Sequence, residues 1–513
     1  MGRSRQKTSF WSGQPLFVLL LAISAASMYV PAVHALILDD HPTSRSFFYA
    51  GTLGLIAVTL LAIVLSARTA RHGSFGQLLS LLAGFVFVPV LLAIPFHDAL
   101  GTTRFLNAYL DMVSALTTTG LDVFNDPNRL NDTLHLWRAQ VAWMGGLMMW
   151  IAASAILAPL SLGGFEVTTQ GQPGRSHSDA RGLDQANPRQ RLYRSTRVLL
   201  PIYAGLTLVL WISLLIAGDR PLVALCHAMS VMATSGISPL GGTEGAQAGL
   251  PGEMVMALFM FFALSRLSFS NDTVTKGSAR LDRDPEFRIG IFLTIAVPLL
   301  LFLRHWLGAY EVDPAEAEAG TQAVSALWGS VFTVLSFLTT TGFVSADWAQ
   351  TQAWSGLGTP GLILMGLALI GGGVATTAGG VKLLRVYVLY LNGLREMERL
   401  IHPSSVGSEG AERRRIHRNG AFIAWIFFML FALSLAAITV LLTLYDVTFE
   451  DAILLSVAML STTGPLVDVA AESPISILEL ADGAKYVLAA AMVLGRFETL
   501  AIIALVSADT WRR

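Results

Sequence analysis

Apolar residues along this chain come in runs of about 20, the length a helix needs to cross a hydrocarbon core. Ten such runs occur, at 15–38, 47–66, 75–96, 136–160, 196–217, 251–270, 287–306, 358–392, 419–444 and 484–508. The first follows Arg3, Arg5 and Lys7, but it is too long for the apolar region of a signal peptide and is expected to be a retained span. The eighth is too long and too rich in glycine to be one straight helix. Shorter, moderately apolar segments of helical character lie between some of the runs: Phe105–Leu116, Leu222–Met232, Ala323–Leu338 and Phe449–Leu460. At 1.5 Å per residue a 12-residue helix reaches only about 18 Å. Such helices are expected to dip into the membrane and return.

Composition agrees with this pattern. Of 513 residues 53% are hydrophobic and 13% charged, with a mean hydropathy of +0.59; soluble domains carry about 25% charged residues. The expected fold is an all-α polytopic membrane protein. A formal net charge of −1 gives no basic excess for nucleic acid. The single cysteine, Cys226, excludes an internal disulfide and a cysteine metal cluster.

Charge sets the expected orientation. With the N-terminus in the cytoplasm and spans alternating, 26 of the 34 Lys and Arg residues fall on the inner side and seven on the outer, with Arg496 inside the last span. Acidic residues run the other way. The resulting negative outer face would concentrate cations at an external mouth.

After each short segment comes a hydroxyl-glycine element: Thr117-Thr118-Thr119-Gly120, Ala233-Thr234-Ser235-Gly236, Thr339-Thr340-Thr341-Gly342 and Ser461-Thr462-Thr463-Gly464. The glycines stand 116, 106 and 122 residues apart, an internal repeat. Irregular backbone at membrane depth is tolerated only where it lines a watery cavity or is buried in protein. Four re-entrant elements therefore predict one central pore. Short helices ending there bring partial negative charge. Glycine permits the dihedrals that turn successive carbonyls inward, and the hydroxyls add acceptors for a dehydrated cation. Close helix packing by small residues is the bland alternative. It explains one such element better than four at near-even spacing.

These features resemble the Trk/Ktr/HKT superfamily of cation transporters, and its bacterial TrkH-type subunits in particular, over nearly the whole chain. The resemblance implies an N-terminal two-span domain (1–70) and four span–pore-helix–span units at 75–162, 196–270, 287–395 and 419–510. It implies a filter for transported K+ formed by Thr118, Thr119, Gly120, Thr234, Ser235, Gly236, Thr340, Thr341, Gly342, Thr462, Thr463 and Gly464. Serine at the first glycine accompanies sodium permeation in plant relatives, so Gly120 implies potassium. The segment Gly371-Gly372-Gly373-Val374-Ala375-Thr376-Thr377-Ala378-Gly379-Gly380 resembles the intramembrane gating loop of the third repeat. The family form commonly reads Gly-Ser-Thr-Ala-Gly-Gly there, and the glycine lost at Ala375 is expected to stiffen the loop. Gly371, Gly372, Gly373, Thr376, Thr377, Gly379 and Gly380 would form this gate, with Arg496 beneath the filter near it. Pairing of Arg496 with Glu498 is the structural alternative. The resemblance further implies a homodimer in the lipid of a bacterial inner membrane. It would be regulated by a cytoplasmic nucleotide-binding subunit of the TrkA type, for which the basic inner loops 163–195, 271–286 and 393–418, with Arg413, Arg414, Arg415 and Arg418, are candidate contacts.

No Walker-type phosphate loop or dinucleotide glycine fingerprint is present, so no enzyme activity is expected of this chain. Sodium-selective or sodium-coupled transport on the same fold is the alternative reading, and a membrane enzyme acting on lipid-linked substrates a distant third.

Overall fold

The computed structural model describes residues 14–66, 74–160, 162, 164, 188–265, 284–308, 319–356, 359–401 and 418–497. Among these residues the chain is helical throughout, with no strand. It opens with α1 (Leu16–Ser27), α2 (Tyr29–Ile37) and α3 (His41–Ser66), which pack beside α4 (Ser74–Leu100). The first unit is α4, α5 (Phe105–Leu116) and α6 (Asp132–Ala152). The second is α7 (Pro188–Ile216), α8 (Pro221–Ala233) and α9 (Gly249–Met260). The third is α10 (Pro285–Gly308), α11 (Ala319–Leu338), α12 (Trp348–Ser355), α13 (Gly361–Ile370) and α14 (Leu383–Ile401). The fourth is α15 (Arg418–Thr443), α16 (Phe449–Leu460), α17 (Leu466–Ala470) and α18 (Asp482–Phe497).

Seven helical stretches are long and apolar enough to cross a membrane. The other three expected spans are shorter or broken. Residues 249–264 end in a 3₁₀ turn, Phe261–Leu264, and residues 266–270 of that run lie outside the described residues, as do 498–508 of the last. The run at 358–392 splits into α13 and α14 around an irregular stretch, because five glycines in ten residues remove too much helix propensity.

The units close into a ring. The second span of each, or its first half in the third unit, packs on the short helix of the next: α6 on α8, α9 on α11, α13 on α16, and α18 back on α5. Two polar ties seal that last junction. Arg104 donates two hydrogen bonds to Asp482, at 2.8 and 2.6 Å, and the Lys485 ammonium donates to Asn107 Oδ1 at 2.8 Å. The fork-on-carboxylate bond from Arg104 holds the Asp482 carboxyl below its usual pKa.

Burial runs radially. From Ala108 to Leu116 only Tyr109 of α5 escapes full burial, and α16 is buried from Leu454 to Leu460. The outer spans expose large apolar side chains such as Leu53, Phe292, Leu300, Phe422 and Leu433. In water so broad an apolar surface would drive aggregation; in lipid it is the required exterior.

Candidate functional site

Each short helix ends the same way. In the first unit Thr118 N donates to Ala115 O at 2.9 Å and Thr119 N to Ser114 O at 2.8 Å. This pair of bonds is the Schellman closure of a helix C-terminus, whose left-handed residue is usually glycine. Here that residue is threonine in all four units. Thr118, Thr234, Thr340 and Thr462 have φ of 56, 52, 56 and 54°. The companion bonds recur as Ser235 N to Ser230 O, Thr341 N to Ser336 O and Thr463 N to Ala458 O, at 3.0, 2.8 and 2.8 Å. A β-branched residue in this region is strained, by about 1–3 kcal/mol.

The glycines were expected to carry the unusual dihedrals, and three do: Gly120, Gly236 and Gly342, with φ of 68, 66 and 86°. Gly464 does not. Its carbonyl already accepts from Val467 N, and Leu466 N bonds Thr463 O, so the chain turns helical at once into α17.

The four elements meet. A Cβ on Gly120 would overlap the Ser235 carbonyl oxygen, and one on Gly236 the Thr341 carbonyl oxygen. A Cβ on Gly342 would lie against Pro465, and one on Gly464 against Leu121. Gly464 N also donates to Thr119 O at 2.6 Å. This order, one to two to three to four to one, is the same ring that the helices form. Of the twelve residues expected here all are buried but Gly236, which is half-buried. The Oγ1 atoms of Thr118 and Thr462 are buried with no hydrogen-bond partner.

The glycine-rich segment lies against one side of this ring. Its ends are tied by Val381 N to Leu369 O and Lys382 N to Ile370 O, each 2.9 Å. Gly379 N donates to Thr340 Oγ1 at 2.7 Å, and a Cβ on Gly379 would overlap Ser461 O and Thr462 Oγ1. Thr377 Oγ1 donates to Met232 O at 3.2 Å, and Gly373 N to Ala263 O at 3.0 Å. Arg496, 4% exposed, donates from Nη1 to Thr377 O at 2.5 Å. Met149, Thr376, Gly379, Lys382 and Arg496 share one small cavity. Gly371 and Gly380 take positive φ, and so does Ala375, at 57°. The position that lost a glycine thus keeps a glycine-like backbone. Glu498 and the Arg413–Arg415 cluster lie outside the described residues.

Several buried polar groups escaped the sequence reading. The Glu286 carboxylate accepts from Val374 N at 2.9 Å and so holds the glycine-rich segment from the start of α10. Arg138 lies 3.1 Å from Asp111 and 3.0 Å from Asp122, just past Gly120. Ser114, Ser230 and Ser336 each stand six residues before a glycine, a spacing that was legible. Beyond the fourth element, Asp468 is reached by water, yet loss of hydration and the like charge of Asp122 push its pKa up to about 7.

Four units of span, re-entrant helix and span, closed in a ring around buried threonine–glycine elements, define a polytopic membrane protein of four pseudo-repeats. The family model for TrkH, a cation transport protein, matches residues 258–512. The chain is 28% identical over 505 residues to the Trk system potassium uptake protein TrkH of Salmonella typhimurium, covering 96% of this chain and 98% of that one. It is 26% identical over 502 residues to the Trk system potassium uptake protein TrkI of Halomonas elongata, covering 97% and 96%. The crystal structure of the potassium transporter TrkH from Vibrio parahaemolyticus shares the fold, with a TM-score of 0.77 and 24% identity over 98% of this chain and 100% of that one. By these likenesses the chain resembles proteins of the TrkH family over nearly its whole length.

Proposed function

We propose that this chain is the ion-conducting subunit of a bacterial potassium uptake system, with its four units at 75–162, 196–270, 287–395 and 419–510. The potassium assignment draws on the relatives, which are Trk potassium uptake proteins. The observation that carries the mechanism is the recurrence of one strained turn in four units of a closed ring. In this reading a dehydrated K+ is held by carbonyls of Thr118–Gly120, Thr234–Gly236, Thr340–Gly342 and Thr462–Gly464. The partnerless hydroxyls of Thr118 and Thr462 suit an added ligand role, since a buried acceptor without a partner is costly unless something fills its lone pairs. The ends of four helices add partial negative charge.

The glycine-rich segment, residues 371–380, is then the gate beneath the filter. Its contacts with Thr340, Thr462, Met232 and Arg496 support this reading. An arginine at membrane depth stays ionised and needs protein oxygens, and its charge raises the barrier for a cation. A cytoplasmic nucleotide-binding subunit of the TrkA type would relieve the gate, and the chain would work as a homodimer with its N-terminus in the cytoplasm.

The test is flux through the purified protein in liposomes, under imposed potassium, sodium and proton gradients. Potassium flux exceeding sodium flux is expected. Equal flux of the two ions, or none, would reject the assignment.

A further inference from the structure

The segment that leaves the third element, residues 343–347, is held largely by the second unit. Thr243 Oγ1 donates to Val344 O, and the His227 ring meets Phe343 edge-on at 5.4 Å between centroids. The strongest hold is Glu253 of α9. Its side chain is 3% exposed, and it accepts three hydrogen bonds from the third unit, each at 2.8 Å: Trp328 Nε1 and Ser345 Oγ on Oε2, and Ala346 N on Oε1. Ser345 N in turn donates to Thr333 Oγ1 on the short helix, at 3.2 Å. The carboxylate thus bridges three parts of the third unit: the short helix through Trp328, and two successive residues of the segment after Gly342.

We infer that Glu253 is a positioning residue for ion selectivity, acting across the unit boundary to fix the third element at the spacing a K+ ion needs; this deepens the proposed function and rests on it. A carboxylate suits the task because it offers only acceptors, and it faces only donors. Three charge-assisted bonds leave this segment little freedom to move in or out. Selectivity between ions of different size depends on that freedom, whether it comes from ring size or from the number of oxygens held in place. Glu253 touches no ion. It acts through Ser345 and Ala346 on Gly342.

Glu253→Gln keeps the shape and removes the fit. Wherever its NH2 lies, it meets a donor, either Ala346 N–H or Trp328 Nε1–H. In liposomes the potassium-over-sodium flux ratio of Glu253→Gln is expected to fall about tenfold, the equivalent of one charge-assisted hydrogen bond. A role confined to folding would lower both fluxes together and leave the ratio alone. In the Glu253→Gln background, Trp328→Phe removes one opposing donor and should recover part of the ratio. Should Glu253→Gln fail to insert, Trp328→Phe deletes a single bond and keeps the carboxylate, and Ser345→Ala deletes another together with the bond from Asp347 N to Ser345 Oγ; a lowered ratio in Trp328→Phe supports the role, and an unchanged ratio in both overturns it. A parent that conducts potassium while Glu253→Gln keeps the parental ratio overturns the role of Glu253 alone. A parent that conducts no potassium overturns the proposed function and this role with it.

Discussion

Threonine at the left-handed position of a helix stop is an expensive choice. Glycine would close the same Schellman turn without the Cβ penalty. The chain pays that penalty four times, at Thr118, Thr234, Thr340 and Thr462. What threonine adds is a hydroxyl, and the four hydroxyls have different fates. Thr340 Oγ1 accepts from Gly379 N, Thr234 Oγ1 turns to the Ala233 carbonyl, and those of Thr118 and Thr462 find no partner. Thr118→Gly should therefore separate stability from function. Relief of strain offsets the greater freedom of glycine in the unfolded chain, so thermal stability in detergent should hold or rise by about 1 kcal/mol. Potassium flux at low concentration should fall, because an ion ligand is gone. A stability loss with normal flux would mean that Thr118 serves packing. The sequence marked these hydroxyls and the glycines beside them, but put the unusual dihedrals on glycine alone. Dihedral strain leaves no trace in residue type when the strained residue is not glycine.

At the scale of elements, the glycine-rich segment is fastened from several sides. Thr340, Met232, Ala263, Glu286 and Arg496 each bond it. If it is the gate, opening must break these ties together, and any one that is weakened should favour the open state. Deleting Ala375–Ala378, or replacing Arg496 by Ala, should raise potassium flux measured without a regulatory subunit. Variants that insert and assemble normally but conduct no faster would make Arg496 a structural tie. The sequence exposed this element through its glycines, which break α13 from α14. It also placed the short helices well: Phe105–Leu116 and Phe449–Leu460 are found as expected, and α8 and α11 extend the others slightly. Glu286 and Glu253 were not legible. Each acid stands beside an apolar run, and its partners come from segments roughly 75–95 residues away, so only the folded chain brings the donors to it.

For the whole molecule, the ring is the organising fact. Near-even glycine spacing announced four units, but the spacing did not say that each unit lays its second span on the next unit's short helix. That closure puts every element between two others, which is how one carboxylate in the second unit reaches the segment after Gly342 in the third. It also makes the glycine positions unforgiving. At Gly120 a side chain has nowhere to go, since its first carbon would strike the Ser235 carbonyl, and φ of 68° strains any other residue. The central claim is that these four elements select potassium by the placement of their oxygens. It is tested most directly by the potassium-over-sodium flux ratio of parent and Gly120→Ser, measured side by side in liposomes with both ions present. The account predicts a parent that favours potassium and a variant that has lost most of that preference while still conducting. Equal ratios in the two proteins would contradict it.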